Sequence, residues 1–194
     1  RHVAVTLGGD LVRMAATVRF EASGGDAELL GLYFADAGQH LESRLLVDHA
    51  HPNCRSNVLY KGALQGDSES RKPDAHTVWI GDVLIRAEAT GTDTFEVNRN
   101  LLLTDGARAD SVPNLEIETG EIVGAGHASA TGRFDDEQLF YLRARGSPDE
   151  QARRLVVRGF FNEIIAKIAV PAVRERLTEA IERELEITES RTSS

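Results

Sequence analysis

From the N-terminus to beyond residue 100 the chain alternates apolar and polar side chains with a period of two. Val3, Val5 and Leu7 set the pattern; Val12, Met14, Ala16, Val18 and Phe20 repeat it after the break Gly8-Gly9-Asp10. A period of two puts alternate residues on opposite faces, as in a strand, and a glycine-rich break between two such runs is a turn. Denser apolar runs over 29–34, 41–47, 58–64, 77–89 and 94–103 predict further strands, and no helical spacing interrupts them. The body is therefore expected to be all-β: a sandwich, a barrel or a parallel β-solenoid. Breaks such as Gly8-Gly9-Asp10, Gly62 and Gly81-Asp82 lack the Asn-Gly mark of hairpins, and the segments vary in length; both lean toward a solenoid.

Past Arg133 the apolar spacing becomes helical. Asp135, Asp136 and Glu137 set negative charge at a helix start, Arg143 and Arg145 set positive charge at its end, and Gly146 stops it, so a short helix is predicted over 135–145. Ser147-Pro148-Asp149-Glu150 reads as a capping box that launches a second helix, running to Ala169 before Pro171 interrupts it. Along it Ala152, Leu155, Val156, Phe160, Ile164 and Ile168 form one stripe, and Val157, Phe161 and Ile165 form another. A single buried face does not need both. Either the helix is central to a small bundle, or one stripe packs on the β body and the other receives a second protein. A third helix is predicted over 172–187, buried through Val173, Leu177, Ala180, Ile181 and Leu185, with 188–194 as a frayed tail.

Composition narrows the function classes. The 194 residues are 41% apolar, enough for a proper core. Acidic residues outnumber basic ones, 31 to 22, for a formal charge of −9, and no Lys/Arg block stands out, which argues against nucleic acid as a partner. No apolar run approaches the ~20 residues of a membrane helix, and no signal-peptide pattern opens the chain. The single cysteine, Cys54, excludes an intrachain disulfide, and a cytoplasmic setting fits best. No phosphate-binding G-x-x-x-x-G-K-[ST] loop, G-x-S-x-G elbow or C-x-x-C pair occurs, so no self-sufficient enzyme is expected.

Four places carry candidate chemistry. His127 sits in GAGHASATG, where small neighbours leave the imidazole uncrowded; a neutral imidazole is a borderline ligand for iron or zinc, and the bland reading is a surface histidine. His49-x-His51-x-x-Cys54 gathers three metal-type side chains, but the spacing matches no closed zinc site and Pro52 stiffens the loop, so turn histidines and a partly buried thiol are expected. Asp135, Asp136 and Glu137 could imitate a glycosidase acid pair, yet helix-start electrostatics already explain them. Glu116 and Glu118 alternate with Leu115 and Ile117 and should share a solvated face; Glu116 is the candidate for an auxiliary ligand beside His127.

The run 115–146, above all LEIETGEIV, GHASATG and DDEQLFYLRARG, resembles the SufD branch of the SufB/SufD family of iron–sulfur cluster assembly proteins. LYKGA at 59–63 and NRNLLL at 98–103 fit the same family, and Leu142 follows Tyr141 in a block where SufB-type chains usually carry cysteine. The resemblance implies a right-handed parallel β-helix over 1–134, a small C-terminal helical domain over 135–194, and a further segment of comparable length ahead of Arg1. It implies a non-catalytic scaffold subunit of a SufBCD-type complex, pairing with a SufB-like chain through the β-helix and docking a SufC-like ATPase through the helices. His127, five residues before Gly132, is implied to face the SufB-like chain and to share a nascent iron–sulfur cluster with its cysteine, in the assembled complex only. Many relatives carry cysteine two residues before that histidine; here the position is Ala125, so no thiolate comes from it. Phe140, Arg143, Arg145, Phe160 and Phe161 are the expected ATPase contacts, since aromatic and arginine side chains anchor interfaces. The alternative is a stand-alone β-solenoid enzyme acting on polysaccharides, which would need an aromatic-lined groove from a chain only 6% aromatic. A third reading is that the isolated chain forms a homodimer through the open end rung of the β-helix.

Overall fold

A computed structural model of the chain describes residues 1–67, 71–133 and 149–192. Among these, nine strands follow one another without a helix: β1 His2–Leu7, β2 Leu11–Arg19, β3 Asp26–Ala35, β4 His40–His49, β5 Arg55–Leu64, β6 His76–Ile85, β7 Asp93–Leu102, β8 Arg108–Ile117 and β9 Gly124–Arg133. Odd-numbered strands form one sheet in the order β1-β3-β5-β7-β9, and even-numbered strands form another in the order β2-β4-β6-β8. Every pairing is parallel. The chain thus changes sheet at each connection and adds each strand beside the one laid down two elements earlier. Partners in register are 27 positions apart between β1 and β3 (His2 with Leu29) but 38 apart between β5 and β7 (Arg55 with Asp93). The connections absorb that difference, which is why the repeat looks ragged in sequence while the ladders stay in register.

The two sheets face each other across one interior. Leu29, Tyr33, Val58 and Tyr60 from the odd sheet meet Leu41, Leu45, Val83 and a fully buried Trp79 from the even sheet in a single apolar cluster. Strand periodicity then sends Leu30, Leu32, Phe34, Leu59 and Ala63 to the other face of the odd sheet. These residues are buried too, because two helices cover them: α1 Asp149–Ile165 and α2 Pro171–Thr192. Strands β3 and β5 are therefore largely apolar on both faces, as parallel strands buried on both sides are.

Strand boundaries fall within a few residues of those predicted; the main excess is over 77–89, where β6 stops at Ile85. The chain turns there, and Arg86 donates two hydrogen bonds to Asp48, at 2.7 and 3.0 Å. Helix α1 also ends early, at Ile165 rather than Ala169. Its last turn tightens through Lys167 N–H to Ile164 O (3.0 Å) and Ile168 N–H to Ile165 O (3.1 Å), and Arg1 and Arg174 donate to the terminal carbonyls of Lys167 and Ile168. Residues just ahead of a proline disfavour the helical region, and Pro171 instead opens α2 as its first residue. Helix α2 continues to Thr192, past the predicted end at 187. The short helix predicted over 135–145, with Ser147 and Pro148, lies outside the described residues.

One contact ties α1 to the sheet. Lys61, 4% exposed on the helix-covered face of β5, donates to Phe160 O at 2.8 Å, pairs with Glu163 at 2.5 Å and lies over the Phe160 ring, 4.7 Å from its centroid. The Lys61 ammonium in turn holds the Glu163 carboxyl below its ordinary range. Glu163 is half-exposed, which weakens the pair, so Lys61→Ala is expected to cost about 1–2 kcal/mol rather than the full loss of a buried ion pair. Denaturant unfolding reads that cost, and hydrogen exchange should quicken in α1 before it does in β5.

Candidate functional site

The site begins with the inner face of β7. Thr94, Glu96, Asn98 and Asn100 alternate with Phe95, Val97, Arg99 and Leu101, and the polar set is the one turned inward and buried. Most of it is satisfied. Tyr33 Oη donates to Asn100 Oδ1 (2.6 Å) and accepts from Asn98 Nδ2 (2.9 Å), Asn100 Nδ2 donates to Asn98 Oδ1 (2.8 Å), and Ser111 joins from β8. Such a network locks its side chains because each lost bond would strand a buried polar atom.

Glu96 is the exception. It is 1% exposed, and neither carboxylate oxygen has a hydrogen-bond partner among the described residues. Its side chain crosses the interior to β6: a Cβ on Gly81 would lie 2.5 Å from Glu96 Oε2 and 2.3 Å from the Trp79 ring, so glycine there leaves the space that the carboxylate fills. The indole Nε1 of Trp79 is likewise buried without a hydrogen-bond partner among the described residues. Burial, and then the nearby Asp82 charge, push the Glu96 carboxyl up to about 7.

Strand β9 lies in register on β7, pairing Thr94 with Ala125, Glu96 with His127, Asn98 with Ser129 and Asn100 with Thr131. In-register neighbours on parallel strands share a face. Ala125 accordingly packs on the interior cluster and Thr131 Oγ1 accepts from Asn100 at 3.4 Å, so His127 belongs to the inner face, one strand beyond Glu96. Yet His127 is exposed, because β9 is the edge of its sheet, as β8 is of the other. Nearby apolar side chains are exposed as well: Ile117 by 45% and Val123 by 75%. The other face of β9 carries only Gly124, Gly126, Ala128, Ala130 and Gly132, so a partner backbone meets no bulky side chain there.

The other sequence candidates fall elsewhere. Leu115 packs inward from β8, which turns Glu116 to the opposite face, away from the side that His127 shares with Glu96. Glu118 accepts from Ala87 N–H at 3.1 Å. His49 is fully buried with Nε2 2.9 Å from Ser56 Oγ and its ring against Phe20, and burial lowers it to about 4; the Cys54 thiol is buried and donates to Ala22 O. Phe160 is partly covered beneath Lys61, Phe161 is fully buried between α1 and the odd sheet, and Phe140, Arg143 and Arg145 lie outside the described residues. Among the described residues no group of three or more His, Cys, Asp or Glu side chains is arranged to hold a metal ion. Sequence reasoning missed Glu96, and it missed a ladder on the outer face of the even sheet: His40 Nδ1 lies 3.1 Å from His76 Nδ1, and His76 Nε2 lies 2.8 Å from Asp110 Oδ2.

Residues 1–160 match the profile of the SUF system FeS cluster assembly, SufBD core domain. The chain belongs to that family. It is 86% identical over 190 residues to an iron-sulfur cluster assembly SufBD family protein of Mycobacterium bovis, covering 98% of this chain and 48% of that protein. It is 35% identical over 114 residues to the iron-sulfur cluster assembly protein SufD of Bacillus subtilis, covering 59% of this chain and 26% of that one. A second SufBD family protein of M. bovis matches at 28% over 159 residues, covering 82% of this chain and 18% of its own length. The chain spans about half the length of the mycobacterial relative it matches best among these three.

Proposed function

We propose that this chain belongs to a non-catalytic scaffold subunit of a SufBCD-type iron–sulfur cluster assembly complex. The two parallel sheets are then the faces of a right-handed parallel β-helix, residues 1–134 its core, and 135–194 the helical part through which a SufC-like ATPase pulls. The open end at β8 and β9 receives a SufB-like chain, whose strands complete the edge and whose cysteine faces His127 across the junction. Iron and sulfide are cargo here, held for the time a cluster takes to form.

The observation that carries this reading is His127: an imidazole on the inner face of an edge strand, exposed because no strand among the described residues lies beyond it. A strand edge with unpaired N–H and C=O groups is a template for a further strand. Two family members in one organism, both matching this chain, supply the kind of paralogue that such a junction needs. Between α1 and α2 a groove of about 340 Å³, lined by Leu155, Arg158, Asn162 and Thr178, leaves Leu155 half-exposed. We place the ATPase contact there, with Phe161 supporting it from beneath and Phe140, Arg143 and Arg145 on the segment that leads into α1; Phe160, on the sheet side of α1 under Lys61, contributes by holding the helix in place. A polysaccharide-cleaving solenoid finds no support in the family match.

Co-expression of the full-length protein with its SufB-like and SufC-like partners tests the reading. His127→Ala is expected to leave assembly intact on gel filtration while cluster content, read as iron and acid-labile sulfide per complex, falls to a small fraction of the native value. Native cluster content in an intact complex would reduce His127 to a surface residue and overturn the proposal.

A further inference from the structure

The first residues of β4 and β6 are both histidines, and register sets them side by side: His40 pairs with His76. Leu41 and Thr77, next along each strand, are buried on the inner face, so the two imidazoles stand on the outer face of the even sheet. Both are partly buried, and they meet edge to face with their Nδ1 atoms 3.1 Å apart. The backbone is pinned under each ring: His40 N–H donates to Asp10 O at 2.8 Å and His76 N–H to Gln39 O at 3.0 Å. Asp110, from β8, decides how the pair is protonated. Arg108 donates to it from Nε at 3.0 Å and holds its carboxyl below the ordinary range, so Asp110 only accepts. The His76 Nε2, 2.8 Å from Asp110 Oδ2, is then the donor. A neutral imidazole has one donor nitrogen and one acceptor, which leaves the His76 lone pair on Nδ1, the atom that faces His40.

We propose that His40 and His76 form a two-histidine site for a divalent late first-row cation of the Zn(II) type, bound through both Nδ1 atoms, with Asp110 as its positioning residue and the remaining coordination positions open to solvent. At zinc–nitrogen distances of about 2.0–2.1 Å, two nitrogens 3.1 Å apart subtend about 100° at the metal, between a right angle and the tetrahedral one. Without a metal, one Nδ1 must carry a hydrogen for the other. A cation takes the place of that hydrogen, and turning each ring about its Cβ–Cγ bond points both lone pairs at a common centre. A carboxylate on the far nitrogen of a ligating histidine fixes its tautomer and makes it a better donor, which is the relation of Asp110 to His76. Imidazole nitrogens suit zinc, nickel and copper, whereas calcium and magnesium take oxygen donors. The Arg108 charge beside the pair is balanced by Asp110, which it also meets from Nη2 at 2.9 Å. This site stands apart from His127, on the edge strand of the other sheet, and holds whether or not the scaffold reading does.

Zn(II) binding to the full-length protein, followed by competition with a chromophoric chelator, tests the site. His40→Ala and His76→Ala should each take up one equivalent fewer than the native protein. The double variant should lose the same single equivalent, because both residues serve one ion. Asp110→Asn should keep that equivalent but bind it at least about tenfold more weakly, as loss of an outer-shell partner does; a carboxylate that only holds the strands together would leave the affinity unchanged. In a His127→Ala background the equivalent that depends on His40 and His76 should remain, which separates it from any metal taken up at the β9 edge. Because the ion ties β4 to β6, saturating Zn(II) should also raise the urea midpoint of the native protein more than those of the histidine variants. Should an alanine variant misfold, His40→Phe and His76→Phe keep a ring without a nitrogen donor and are expected to lose the same equivalent. Native Zn(II) stoichiometry and affinity in a folded variant of either histidine would overturn the site, and unchanged affinity in Asp110→Asn would overturn the part given to Asp110.

Discussion

Gly62→Ala is expected to cost the fold about 3 kcal/mol or more, the upper end of what overpacking a core costs. A Cβ at Gly62 would sit 1.9 Å from Tyr33 Cε2, and the mirror contact is as close: a Cβ at Gly31 would sit 2.0 Å from the Tyr60 ring. Register explains the pair, since Gly31 lies beside Tyr60 and Tyr33 beside Gly62 on adjacent strands. Each ring lies over the neighbouring strand's glycine, so two large side chains share one layer of the interior. The Tyr33 ring has no room to retreat, because its hydroxyl is held by Asn98 and Asn100 and the residue is 3% exposed. Urea unfolding of the full-length protein measures the loss. Adding Tyr33→Leu to Gly62→Ala should recover at least about 1 kcal/mol relative to the sum of the single changes, the coupling expected of residues in direct contact. A Gly62→Ala midpoint close to native would show that the ring yields freely.

The same strands show how far a sequence carries. The alternation in β3 to β7 marks strands because burial on a pleated sheet has a period of two, and that much is local. Which face turns inward is not local. In β7 the apolar set Phe95, Val97, Leu101 looks like the core face, yet the structure buries Thr94, Glu96, Asn98 and Asn100 inside and turns the apolar set outward, where α1 covers Val97 and Leu101. The inner set is paid for by partners from distant strands, Tyr33 and Ser111, that no window of sequence contains. Helix α1 carries the same lesson. Its two apolar stripes both contribute to the buried side, Ala152 and Ile164 from one and Val157, Phe161 and Ile165 from the other, leaving Leu155 as the exposed remainder. A wide stripe was needed because the helix packs on a flat sheet and on α2 at once.

For the site, His127 stands out in the sequence because small neighbours leave its imidazole uncrowded, and only strand register says that it falls on the inner face of the edge strand. Glu96 does not stand out, because TFEVNRN is ordinary strand alternation and nothing local says that the glutamate points in. The weak candidate Glu116 failed to join His127 for a geometric reason: with Leu115 inward, strand parity sends its neighbour out. A carboxylate in register with the histidine, not one nearby in sequence, shares its face.

Glu96→Gln should make the protein more stable at pH 8 and nearly unchanged at pH 5. Burial raises the carboxyl from its ordinary 4.5 to about 7 in the folded chain. The folded state therefore binds this proton more tightly than the unfolded state does, so the stability tied to it is full below pH 4.5 and is lost as pH rises through 7. Glutamine carries no such proton and keeps the neutral form at every pH. The shift corresponds to about 3 kcal/mol, and water entering at the open end brings the expected gain down to roughly 1–2 kcal/mol at pH 8. The carboxylates held low by arginine or lysine, Asp48, Asp110, Glu28 and Glu163, act in the opposite sense and lose their contribution in acid. They are common to both proteins and drop out of the difference. Denaturant midpoints of native and variant between pH 5 and 8 should therefore diverge with rising pH. Parallel pH profiles would mean that the carboxylate already has a cation or donor in the folded state.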